Sequence, residues 1–157
     1  MDVLNILTNE ILLVPACAWM VAQFLKTIIN LIVNKKFSFE RLFGDGGMPS
    51  GHSATVTSLA IMVGLSKCGF DSPEFALATI FAIVVMHDAT GVRREAGKQA
   101  VSIIEIAELL NDYFSEHDEY IKVDKLKVLV GHTPLQVVCG ALLGAAVSIA
   151  YYLITVG

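Results

Sequence analysis

The stretch LQVVCGALLGAAVSIAYYLITV, residues 135–156, decides the class of fold, because it is a continuous apolar run long enough to cross the roughly 30 Å hydrocarbon core of a bilayer as one helix. Within it Gly140 and Gly144 stand four apart, a spacing of small residues that lets another helix approach closely. Packing within one chain and a homodimer through the Gly140 and Gly144 face both satisfy that spacing. The composition agrees with a membrane solvent. Of 157 residues, 55% are hydrophobic and 17% charged, and mean hydropathy is +0.66, beyond the usual range of a soluble globule.

Working back from this run, a first apolar stretch covers Ile11 to Val33, with Pro15 near its start. It carries Gln23, Lys26 and Asn30 at i, i+3 and i+7, one face of a helix. An intramembrane lysine costs several kcal/mol unless it is hydrated or paired, so this face is either a seam between helices or part of a site. A polar, glycine-bearing connection from Asn34 to Met48 leads to a second apolar run, Ala54 to Leu65, which breaks near Lys67 to Gly69. The third run, Phe75 to Met86, has an apolar core short for a span. Beyond it the helical pattern continues through Arg93, Arg94, Lys98 and Glu105 to Leu110, amphipathic and charged enough to leave the bilayer. Ser115 to Glu119 is a hydrophilic break, and Lys122 to Val130 mixes basic and apolar residues at the surface. The expected fold is all-α: one integral membrane domain over residues 1–157, with about four transmembrane helices and an amphipathic cytoplasmic helix.

Charge narrows the function. A net charge of −4, from 11 basic and 15 acidic residues, offers no cationic surface for nucleic acid. Cys17, Cys68 and Cys139 show no CxxC pairing and read as buried thiols, not as a disulfide frame or a zinc site. No lysine or arginine precedes Lys26, so a cleaved signal peptide is not expected. With four spans, the loops after the first and third hold Lys35, Lys36, Arg41, Arg93, Arg94, Lys98, Lys122, Lys125 and Lys127, while the opposite face holds only Lys67. The positive-inside rule makes the basic side cytoplasmic in a multi-pass protein of the cell membrane.

Three segments carry candidate chemistry. In Gly46-Gly47-Met48-Pro49-Ser50-Gly51-His52-Ser53-Ala54, glycines free the backbone to approach a ligand and Pro49 fixes the entry to a helix. Ser50, Gly51 and His52 then occupy a first turn whose N–H groups and dipole favour an anion; a histidine there can protonate a leaving oxygen. The bland alternative is an ordinary loop-to-helix junction capped by Ser50. In Val130 to Gln136, His132 again lies where a loop enters a membrane helix, and Gln136 at i+4 is placed to hydrogen-bond its imidazole. The third segment, His87 to Gln99, brings Asp88, Arg93, Arg94 and Lys98 to the end of the third run. Either arginine suits bidentate contact with phosphate, though neighbours on a helix diverge by about 100° and do not both face one ligand. Asp88 is the stronger candidate, since a carboxylate at that depth needs a partner. Lys26, His52, Asp88 and His132 all fall at one depth on one side, which defines an anion site at the cytoplasmic interface.

At these residues the chain resembles the superfamily of type-2 phosphatidic acid phosphatases and vanadium haloperoxidases, and more closely its divergent branch of small bacterial and plant membrane proteins. The carrying motifs are residues 46–54, 88–100 and 131–137, together with Gln23 and Lys26. The resemblance implies phosphoryl transfer in two steps, with His132 as nucleophile and His52 as general acid. Ser50 and the Gly51 amide would bind phosphate oxygens, with Lys26, Arg93, Arg94 and Gln136 around them. Cations stabilise the charge, so neither metal nor cofactor is required.

The chain departs from the family pattern at three points. The arginine-proline expected after the first lysine is absent, since Arg41 is followed by Leu42. The aspartate expected four residues after the nucleophile is Gln136, which orients an imidazole without stabilising an imidazolium. The arginine expected six positions before it is Leu126. Either Asp88 with Arg93 or Arg94 replaces these parts, or the machinery is degraded. The implied function is accordingly a membrane phosphatase for a lipid-linked or other phosphate or pyrophosphate ester. The alternative is a protein that binds a phosphorylated lipid or anion without turnover.

Overall fold

A computed structural model describes residues 6–35, 47–113 and 131–156. Among the described residues five helices follow in order: α1 (Glu10–Asn34), α2 (Gly51–Leu65), α3 (Pro73–Thr90), α4 (Val92–Tyr113) and α5 (Pro134–Val156). The surface basic stretch at 122–130, the break at 115–119, Arg41 and Leu126 lie outside the described residues.

Three stretches are long and apolar enough to cross a membrane: Glu10–Val33, the α3–α4 stretch Pro73–Tyr113, and Pro134–Val156. The fourth expected span, α2, is a shorter apolar helix of 15 residues, about 22 Å. The third run gains its length from its polar flanks, as its short apolar core requires. Ser72 caps α3 by accepting from the Phe75 N–H at 3.1 Å, and Pro73 occupies its first turn, so the polar flanks Glu74 and His87-Asp88 belong to the helix. α3 ends at Thr90, and Gly91 separates it from amphipathic α4.

α2 is the hub. It packs against α1, α3 and α5, while α1 and α5 also touch each other. Its interior is lined by small residues, among them Ala54, Ser58 and Ala60. Gly140 of α5 lies on the Ser50 carbonyl and Gly144 on the Ala54 carbonyl, so an added Cβ at either would collide with α2 backbone. The paired glycines are thus consumed inside the monomer. A homodimer through that face would require α5 to leave α2, which removes the expected role for it. One turn beyond, the Ser58 and Ser148 hydroxyls meet at 2.7 Å, and Ser148 Oγ donates to Gly144 O at 3.0 Å. This satisfies two buried hydroxyls where hydrocarbon offers no partner.

The outward faces are apolar, with Phe24, Ile32, Leu77, Phe81, Leu142 and Leu153 all exposed. Bilayer lipid is the solvent those faces require. Cys17 and Cys68 are exposed and Cys139 is half-buried, which corrects their reading as buried thiols. Cys17 falls on an outer face of α1, where a soft apolar side chain suits lipid as well as a core.

Candidate active site

The site assembles where α2 and α5 begin and α3 ends. Ser50 is the N-cap of α2: its Oγ accepts from Ser53 N at 3.3 Å and from Ser53 Oγ at 3.0 Å, and the residue is fully buried. Its own N–H donates to Gln136 O at 3.0 Å, which locks the start of α2 to the first turn of α5. The ordinary capping role of Ser50 is therefore real. It also aims the first-turn N–H groups of Gly51 and His52, which have no intrahelical acceptor, out of the helix end.

His132 is held from three sides. Its backbone N–H donates to Ala89 O at the end of α3, 2.9 Å away. Gly131 before it lies against the backbone of Arg94, where a side chain would not fit. Gln136 Oε1 accepts from Thr133 N at 2.9 Å and sits 3.3 Å from His132 Nδ1, the i+4 contact that the spacing predicts. Because the Thr133 N–H requires an acceptor, the Gln136 oxygen and not its nitrogen is assigned to the ring side, which matches a His132 tautomer protonated at Nδ1. In that tautomer the ring lone pair is on Nε2. The residue is 3% exposed, whereas His52 is exposed, and the two ring centroids are 6.3 Å apart at an angle of 57°.

Lys26 reaches this end from α1. It is 4% exposed, and its stem runs beneath Gly47, where a Cβ would lie 3.1 Å from Cγ. Gly47 has φ +105°, a conformation that strains any other residue, and a Cβ there would press on the lysine stem. Gly51 meets α1 in the same way, 3.1 Å from Trp19 Cδ1 and 3.9 Å from Gln23 Nε2 at its Cβ position. The α1 face at 19, 23 and 26 is thus apposed to residues 47–51.

The third segment is placed differently. Asp88 Oδ2 accepts from Arg93 Nε at 2.6 Å across the Gly91 junction, with both side chains near half exposure. Asp88 pairs with Arg93, and the His132 ring with Gln136; the segment serves His132 through the Ala89 carbonyl. Arg94 contributes backbone beneath Gly131 and projects an exposed side chain, so the two arginines diverge as helix geometry requires. Lys98 pairs with Glu95 at 2.7 Å.

Two contributors escaped the sequence reading. Trp19 was legible in principle, since it lies four residues before Gln23 on the same helix face. The Ala89 carbonyl leaves no side-chain signal at all.

A helical membrane protein with an imidazole pair at helix N-termini at one end of its bundle is the class that fold and site define. The chain belongs to the Divergent PAP2 family, which it matches over residues 7–147. It is 40% identical to the protein named "uncharacterized membrane protein YuiD" of Bacillus subtilis (strain 168), over 95% of this chain and 99% of that one. No solved structure matches it.

Proposed function

We propose that this protein is a membrane phosphatase that hydrolyses a lipid-linked or other phosphate or pyrophosphate ester through a phosphohistidine intermediate. The approach of the His52 and His132 rings to 6.3 Å carries this reading. That separation suits one ring attacking phosphorus while the other protonates the departing oxygen.

Nε2 of His132 attacks phosphorus, since Nδ1–H is engaged with Gln136. The ester P–O bond breaks, its electron pair stays on the leaving oxygen, and His52 as imidazolium delivers the proton. Water then attacks the phosphohistidine, neutral His52 takes its proton, and inorganic phosphate leaves His132 in its starting tautomer. Lys26 and the first-turn N–H groups of α2 supply positive potential for the equatorial oxygens. The basic end of the bundle, with Lys35, Arg93, Arg94 and Lys98 set against Lys67 in the opposite turn, supports a cytoplasmic site.

The test is phosphate release from a panel of lipid and prenyl phosphates and diphosphates by purified wild-type, His132→Ala and His52→Ala proteins. Turnover is expected to vanish with His132→Ala and to fall about 10²–10⁴-fold with His52→Ala. Equal rates in all three would end the proposal. A second reading, anion binding without turnover, is favoured by one observation: an amide and not a carboxylate contacts the His132 ring. It is distinguished by saturable orthovanadate binding with no phosphate release and no trapped phosphohistidine.

A further inference from the structure

Between Trp19, which rests on Gly51, and Lys26, which runs beneath Gly47, the side chain of Gln23 occupies the same face of α1. Its Nε2 lies 3.9 Å from the Cβ position of Gly51, at the first turn of α2 beside His52. Its Oε1 is buried and accepts no hydrogen bond. A leucine would fill the same space with no such penalty, and a buried carboxamide oxygen without a donor calls for one that arrives from elsewhere. Neighbouring groups set the character of that donor. The positive end of α2 favours an anion, so the donor has to be carried by the anion itself.

We propose that Gln23 is a substrate-binding residue that reads a terminal phosphate: Oε1 accepts from a protonated phosphoryl oxygen while Nε2 donates to the oxygen beside it. A carboxamide and a P(O)OH group match as donor–acceptor pairs in this way. A phosphodiester has no P–OH to offer and leaves Oε1 without its donor. The site therefore takes the terminal phosphate of a monoester or diphosphate and rejects diesters. The assignment rests on the phosphate reading of the histidine site above, and the experiment separates the two.

Orthovanadate, which retains V–OH groups near neutral pH, is titrated into purified wild-type, Gln23→Leu and Gln23→Glu proteins, with thermal midpoints measured on each. Gln23→Leu is expected to weaken vanadate binding by about tenfold or more, the effect of removing hydrogen bonds to a charged ligand. Gln23→Glu, equal in size, is expected to weaken it further because it sets a carboxylate against the anion. With turnover as readout, the leucine variant raises KM for a monoester more than it lowers kcat. Wild-type affinity in either folded variant overturns the role of Gln23 and leaves the histidine site intact. A wild-type protein that binds no vanadate and releases no phosphate overturns the phosphate reading and this inference together. If the leucine variant does not fold, the glutamate variant decides alone.

Discussion

At the scale of single residues, the decisive contact is the one between Gln136 and the His132 ring. An amide oxygen facing Nδ1 favours the tautomer in which Nε2 is the proposed nucleophile, but it carries no charge to steady an imidazolium. Gln136→Leu keeps the helix and loses that orientation, so kcat should fall about a hundredfold with KM little changed, in a steady-state assay of phosphate release. Gln136→Glu still accepts from Thr133 N and from the ring, and it should shift the acid limb of the kcat profile to higher pH by raising the pKa of His132. An unmoved limb would mean that His132 does not titrate in turnover. This contact was legible in the chain because it is local, four residues apart on one helix. The pairing of Asp88 with Arg93 was not. It depends on how the backbone breaks at Gly91, and composition says nothing of that angle.

Among elements, α2 and α5 bear on each other through backbone. With the Ser50 and Ala54 carbonyls directly under Gly140 and Gly144, a bulky side chain at either glycine has nowhere to go. Gly144→Leu should cost about 1–3 kcal/mol, read as a lowered thermal midpoint in detergent, and should impair the site at the other end of the same interface. Ser148→Ala removes one hydroxyl contact to Ser58 and should cost only about 0.6 kcal/mol. Equal losses from the two changes would show that close backbone packing is not what joins these helices. The glycine spacing was readable from the sequence, yet its use within the chain was not, because a dimer asks for the same pattern. The relative lengths of α2 and α3 were not legible from their apolar runs, for a different reason. Hydropathy counts apolar residues, whereas a helix runs from cap to cap, and the cap Ser72 and the first-turn Pro73 lie outside the apolar core they extend.

For the molecule as a whole, orientation is open to a direct check with a native thiol. Cys68 is exposed in the turn between α2 and α3, at the end of the bundle away from the histidines. With Cys17 and Cys139 changed to serine, a membrane-impermeant maleimide should label Cys68 in intact cells, as a cytoplasmic site demands. Labelling only after permeabilisation would turn the protein over and move the proposed chemistry to the outer face.

The register of α2 against α1 also leaves part of α1 standing beyond the histidines. Gly51 starts opposite Trp19 and Gln23, not opposite Asn34, so α1 overshoots the imidazoles by 11 residues from Gln23, about 16 Å of helix. The overshoot carries Ile28, Leu31, Ile32 and Val33, all exposed. An acyl or prenyl tail packed on apolar faces of this kind adds buried area that a water-soluble ester lacks, and kcat/KM should drop as the alkyl tail of a substrate series is trimmed.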